Sequence, residues 1–217
     1  MSKSETLQRI REIKVIPVLR ARKQEDAVAI AHAIKQGGVP VLEITMTVPG
    51  ALDVIRQLTA TFGNQVLVGA GTVLDPETAR ACILAGAEFI VSPALKISTI
   101  EMCHRYSIPV FPGALTPTEV LTAWEAGADA VKVFPCGSVG GAKYLKSLRA
   151  PLPQIELIPT GGVSLATAAE FLSAGAFALG VGADLIDSDA VGPEKLSAIT
   201  ENAKKYVEVV RKHQAAY

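Results

Sequence analysis

The feature that most constrains this chain is an alternation. Along its 217 residues, short apolar runs recur, each separated from the next by a longer amphipathic stretch. The runs are Val15–Leu19, Val41–Thr45, Val66–Val68, Phe89–Val91, Pro109–Phe111, Ala130–Phe134, Ile155–Ile158 and Phe177–Val181. Between them, the spacing predicts helices over Gln24–Gln36, Ala51–Thr61, Pro76–Ala85, Pro117–Ala126 and Leu165–Ala174. A run that is apolar on both faces predicts a strand covered on both sides, which is the situation of parallel βαβ units. Gln36-Gly37-Gly38, Ala85-Gly86-Ala87, Ala126-Gly127-Ala128 and Ala174-Gly175-Ala176 each end a helical stretch just before a strand run. Glycine there supplies the left-handed turn that closes a helix. Eight strand runs suit a closed (β/α)8 TIM barrel better than an open doubly wound α/β sheet, though periodicity alone is compatible with both. The expectation is a single domain over residues 1–217. Residues 1–12 would form an extra N-terminal helix packing on the barrel, and Pro193–His213 the last helix.

Composition narrows the function classes. Hydrophobic residues make up 49% of the chain, enough for one sizeable core. Lys and Arg number 21 and Asp and Glu number 21, so the chain has no electrostatic footprint for nucleic acid or an anionic membrane. The three cysteines form no CxxC pair, and the three histidines have no zinc-ligand spacing, so neither a metal nor a cofactor is expected. The polar start, Met1 to Arg11, does not resemble a signal peptide, and every apolar run is interrupted before it reaches membrane-span length. These features predict a soluble cytoplasmic protein with free thiols.

Two strand runs carry a charge that core packing alone would not select. Glu43 lies between Leu42 and Ile44, and Lys132 lies between Val131 and Val133. Strand alternation sends the apolar neighbours toward the helices and the charges into the lumen, from the second and sixth runs on opposite walls. Removal from water favours a neutral amine, which attacks ketones and forms an iminium electron sink. A nearby carboxylate can then move protons. A purely structural ion pair would use the same two residues.

The ends of other runs are candidate binding loops. Gly69-Ala70-Gly71-Thr72-Val73 is a weak match to a dinucleotide fingerprint, because Leu74 stands where the third glycine belongs. It reads instead as a tight loop presenting Thr72, or as a plain turn. Pro159-Thr160-Gly161-Gly162-Val163-Ser164 and Gly180-Val181-Gly182-Ala183 follow the seventh and eighth runs, where barrels often hold a phosphate on backbone N–H groups. Ser92-Pro93 and Phe111-Pro112-Gly113 shape a pocket rim. Arg20 is positioned either to pair with a carboxylate or phosphate, or to stand in solvent.

At this point the chain resembles the 2-keto-3-deoxy-6-phosphogluconate (and 4-hydroxy-2-oxoglutarate) aldolases. The resemblance rests on Ile16-Pro17-Val18-Leu19-Arg20, Leu42-Glu43-Ile44-Thr45, Val68-Gly69-Ala70-Gly71-Thr72-Val73 and Phe89-Ile90-Val91-Ser92-Pro93. Phe111-Pro112-Gly113, Val131-Lys132-Val133-Phe134-Pro135 and Pro159-Thr160-Gly161-Gly162-Val163 complete it, from about residue 14 to 187. It implies a metal-independent class I retro-aldol reaction yielding pyruvate and glyceraldehyde 3-phosphate, by a homotrimer acting on small molecules. On the carry-over, Lys132 is the Schiff-base lysine and Glu43 the general acid/base. Thr72 helps hold the pyruvyl carboxylate, Ser92, Pro93 and Phe134 line the pocket, and Thr160, Gly161 and Gly162 contact the substrate and its phosphate.

The chain departs from the pattern at Thr47, where some members have arginine, with Arg20 able to take that anion-binding role. It departs again at Ala183, where many members have serine; the backbone amides there, with Gly182, remain. Rival readings are the aldolase for the galactonate epimer, a phosphate-binding barrel isomerase or synthase, and a non-catalytic scaffold. An isomerase or synthase needs no mid-strand lysine, and a decayed scaffold would have lost Glu43 or Lys132.

Overall fold

The computed structural model describes residues 1–186 and 192–216. Residues 187–191 and 217, part of the span read as one domain, lie outside the described residues. In chain order the elements are α1 (Lys3–Ile13), β1 (Val15–Leu19), α2 (Gln24–Gln36), β2 (Val41–Thr45), α3 (Ala51–Phe62), β3 (Leu67–Gly71), α4 (Pro76–Leu84), β4 (Ile90–Val91) and α5 (Ile97–Arg105). There follow β5 (Val110–Phe111), β6 (Gly113–Ala114), α6 (Pro117–Glu125), β7 (Val131–Val133), α7 (Gly141–Arg149), β8 (Leu157–Pro159), α8 (Ala168–Ser173), β9 (Leu179–Val181) and α9 (Pro193–Ala215).

Among the described residues every strand pairing is parallel. Six strands run in the order β5-β4-β3-β2-β1-β9 and three in the order β6-β7-β8. The two groups share an unbroken chain at one seam, where only Pro112 separates β5 from β6. Proline has no N–H to give the ladder, yet its carbonyl accepts the Lys132 N–H at 2.9 Å. At the other seam Thr160 bridges to Gly180 of β9. The result is a mixed α/β fold whose parallel sheet curls in a TIM-barrel-like manner. Eight apolar runs thus become nine strand segments among the described residues, with Lys132 on β7.

Local chemistry accounts for the ends of the elements. Ser2 with Glu5 and Thr116 with Glu119 form capping boxes, and Asp75 caps α4 ahead of Pro76. Left-handed turns occur at Gly38, Gly86, Gly127 and Gly175, one in each predicted cap. Gly37 has a different reason to be glycine: a Cβ there would lie 2.3 Å from the Ala203 methyl of α9. The stretch read as a helix over Leu165–Ala174 begins only at Ala168, because Ser164–Thr167 forms a turn in which the Ser164 N–H reaches the Thr167 hydroxyl at 2.9 Å.

Strand alternation divides the core into two layers. Leu42, Ile44, Val68, Ala70, Val131, Val133 and Leu157 face the helices. Ile16, Val41, Leu67, Phe89, Phe111, Ala130, Ile158 and Phe177 face one another inside the sheet. Gly69 belongs to the inner set, and the Phe89 ring occupies the space its side chain would take, 2.3 Å from an added Cβ. Ile10 of α1 is buried in the same inner cluster, with Leu7 and Ile13 against it. We expect Ile10→Ala to cost about 2–5 kcal/mol of stability in urea unfolding. A cost under about 0.5 kcal/mol would show that α1 is no part of this core.

Candidate active site

Above the inner apolar layer the lumen changes character. Glu43 and Lys132 are inward positions on β2 and β7, and both are nearly sealed from solvent, at 2% and 4% exposure. Lys132 Nζ lies 3.9 Å from Glu43 Oε1, close enough for ion pairing and too far for a hydrogen bond. Among the described residues, Glu43 Oε1 has no hydrogen-bond partner. Burial pushes the Glu43 carboxyl above the usual carboxylate range, opposed by the positive charges of Lys132 and Arg20. The same ammonium stands 5.3 Å from the centre of the Phe134 ring. Gly71 makes room for the carboxylate: a Cβ there would fall 2.0 Å from Glu43 Oε1. Burial holds the thiols of Cys82 and Cys103 up at about 12 and that of Cys136 at about 11, so they stay protonated and do not compete as nucleophiles.

The other expected residues gather at the carboxyl ends of the strands, in two groups. Arg20, Phe134, Thr160, Gly161, Gly162, Gly182 and Ala183 line one cavity of about 370 Å³, together with Val18, Val163, Ser164 and Asp184. The Arg20 guanidinium reaches toward Gly182, its Nη1 lying 3.6 Å from where a Cβ would stand. Gly161 and Gly162 have φ of 81° and 80°, a conformation open to glycine and costly for other residues. Among the described residues, the N–H groups of Gly162 and Ala183 donate no hydrogen bond, which leaves them for an anion. Thr160 is buried, and the Gly180 position is bare because the Thr160 hydroxyl fills it.

Thr47, Thr72, Ser92 and Pro93 stand outside that cavity, beyond β2, β3 and β4. Thr72 is β-branched yet has φ of 58°, strain of the kind that functional loops hold. The buried Ser92 hydroxyl donates to the Ala94 carbonyl at 2.8 Å, which shapes the Pro93 turn. Thr45, not singled out as a site residue from the sequence, decides what Thr47 offers. Its hydroxyl proton goes to the Leu19 carbonyl at 3.0 Å. The 2.7 Å contact between the two hydroxyls must therefore be donated by Thr47. In this arrangement the Thr47 hydroxyl can accept a further hydrogen bond and has no proton left to donate. Asp184 carries no sequence signal either, because its partners Leu165 and Tyr206 lie far away in sequence.

Among the described residues no three His, Cys, Asp or Glu side chains group as metal ligands, and no helix is long and apolar enough to cross a membrane.

A TIM-barrel-like fold with its polar residues at strand ends is the framework of a barrel enzyme, and a lysine buried beside a carboxylate is the equipment of a carbonyl lyase. The model of the KDPG and KHG aldolases matches residues 7–202, and the chain belongs to that family. It is 35% identical to the KHG/KDPG aldolase of Escherichia coli K12 over 194 residues, 89% of this chain and 91% of that one. It is 36% identical to the 2-dehydro-3-deoxy-6-phosphogalactonate aldolase of the same organism over 175 residues, 80% of this chain and 85% of that one. The KDPG aldolase of Legionella pneumophila, with pyruvate captured at low pH as a covalent carbinolamine, superposes with a TM-score of 0.81. It is 32% identical, with 88% of this chain and 92% of that one covered.

Two outcomes test this geometry. Gly71→Ala should lower carbon–carbon cleavage roughly 10²-fold by displacing Glu43, while the backbone, not in a left-handed region there, stays unstrained. Unchanged cleavage would show that the Glu43 position does not matter. The raised Glu43 carboxyl binds its proton more tightly in the folded state than in the unfolded chain. Its contribution to stability is therefore full below the unfolded value of about 4.3 and is lost as pH rises through the folded value. The Tm of Glu43→Gln relative to wild type should accordingly rise as pH increases above about 4, and a flat difference would count against the shift.

Proposed function

We propose that this protein is a class I aldolase that cleaves 2-keto-3-deoxy-6-phosphogluconate to pyruvate and glyceraldehyde 3-phosphate, and 4-hydroxy-2-oxoglutarate to pyruvate and glyoxylate. The observation that carries the reading is Lys132 Nζ, buried 3.9 Å from the Glu43 carboxylate in a member of this aldolase family. The Lys132 amine attacks the substrate ketone to give a carbinolamine, which loses water to form the iminium. Glu43 takes the proton of the C4 hydroxyl as the C3–C4 bond breaks, and the bonding pair moves into the enamine on Lys132. The aldehyde is released, the enamine carbon is reprotonated, and water frees pyruvate from the lysine. A carboxyl held above its usual range keeps that proton between the two steps.

In this reading Thr72, with Ser92 and Pro93 beside it, holds the pyruvyl end. Arg20 and the backbone of Gly161, Gly162, Gly182 and Ala183 hold the distal phosphate, and Phe134 and Thr160 stand between. The same reading includes one domain over residues 1–217 forming a closed (β/α)8 barrel with α1 across its amino end. It also includes a cytoplasmic homotrimer that needs no metal or cofactor. The galactonate epimer is a second candidate substrate, supported by the 36% identity to a 6-phosphogalactonate aldolase. Comparing kcat/KM for the two epimers decides between them.

Incubation with pyruvate and borohydride should trap a reduced adduct on Lys132, located by peptide mass spectrometry, and Lys132→Ala should lose both adduct and turnover. Glu43→Gln should slow cleavage by roughly 10²–10⁴ while still forming the imine. Folded protein without an adduct at Lys132 would overturn the aldolase reading in favour of a phosphate-binding barrel isomerase.

A further inference from the structure

Asp184 follows the last glycine loop and lines the same cavity as Arg20. A carboxylate beside an anion pocket would work against binding unless it serves the pocket in another way. Its Oδ2 accepts the Leu165 N–H at 3.1 Å and the Tyr206 hydroxyl at 2.6 Å. Leu165 immediately follows the glycine loop that ends at Ser164, and Tyr206 is fully buried on α9. Burial and the bond to Asp184 hold the Tyr206 hydroxyl well above its usual range, so it keeps its proton and serves as a donor. One oxygen therefore joins the loop after β8, the loop after β9 and the final helix. Gly161, Gly162 and Gly182 lack side chains, so each loop is held through backbone groups, the Gly161 carbonyl by the Gly137 N–H at 2.8 Å. Within the first loop the Thr167 hydroxyl bonds the Gly162 carbonyl at 3.0 Å, and beyond the second the Leu185 N–H bonds the Gly182 carbonyl at 3.0 Å. Among the described residues, the Asp184 bond to Leu165 is the side-chain link between the two loops.

We infer that Asp184 is a positioning residue for the distal-anion pocket. Its carboxylate oxygen, anchored on Tyr206 and Leu165, sets the spacing between the two backbone nests that grip the substrate's phosphate. The inference rests on the proposed aldolase reading. It acts on one half of the substrate only, because the lysine and carboxylate that handle the pyruvyl half lie on β7 and β2. Asparagine keeps an acceptor oxygen for both donors and removes the negative charge, whereas alanine removes the acceptor.

The test compares Asp184→Ala, Asp184→Asn and Tyr206→Phe with wild type in three assays. The first is KM and kcat for the phosphorylated keto-sugar acid. The second is the Kd of inorganic phosphate by ³¹P titration, and the third is solvent exchange of the pyruvate methyl protons by ¹H NMR. Asp184→Ala should raise the substrate KM and phosphate Kd roughly tenfold, with pyruvate exchange unchanged. Tyr206→Phe should shift both constants the same way by less, and Asp184→Asn should bind phosphate at least as tightly as wild type. Unchanged constants in Asp184→Ala would overturn the inference, as would a loss of pyruvate exchange in parallel with phosphate binding, which marks a merely structural residue. If wild type itself fails to exchange pyruvate protons, the aldolase reading falls, and the phosphate titration still judges Asp184.

Discussion

Glu43 and Lys132 face each other across the inside of the curled sheet, 3.9 Å apart and almost wholly out of water. Isolating either charge there would be expensive, since removal of one partner from a buried pair typically costs about 3–5 kcal/mol. The pair therefore dictates its surroundings. The strands that carry it must turn these two positions inward, which sends Leu42, Ile44, Val131 and Val133 outward to the helices. The neighbouring strand must yield space, and Gly71 does so. Beneath the pair, Phe89 and Phe111 fill the lumen, with Gly69 making room for the Phe89 ring.

This requirement explains why so much was legible in the sequence. A charge between two branched apolar residues in a short run has few places to go, so Glu43 and Lys132 could be read without a structure. The helix over Gln24–Gln36 and the strands over Val15–Leu19 and Val41–Thr45 match residue for residue, because amphipathic spacing and two-sided burial are local signals. Helices α5 and α7 escaped, since Ile97–Arg105 and Gly141–Arg149 offer only nine residues each and no side-chain cap. The split between β5 and β6 follows from one proline whose effect on the ladder depends on a partner strand.

What stayed hidden in the site is non-local or runs against propensity. Thr45 matters through the Leu19 carbonyl, and Asp184 through Leu165 and Tyr206, contacts made 26, 19 and 22 residues away. The left-handed backbone of Thr72 contradicts the preference of a β-branched residue, so no rule of composition would forecast it. The glycine loops were visible as loops, but their shared cavity with Arg20 emerges only when β1, β8 and β9 lie side by side.

Ile10 and its neighbours on α1 fill the amino ends of the strands with packed hydrocarbon, which leaves the carboxyl ends as the side facing the candidate cavity. Under the proposed chemistry, the carbon skeleton bonded to Lys132 lies deeper than the phosphorylated fragment, which sits with Arg20 and the glycine loops at the carboxyl ends of the strands. Departure must then be ordered: the aldehyde vacates the doorway first, and pyruvate can be hydrolysed free only afterwards. In the synthetic direction the queue reverses, with pyruvate entering ahead of its acceptor. A curled sheet packed shut at its amino end would, under that chemistry, impose a kinetic order on two products by shape alone.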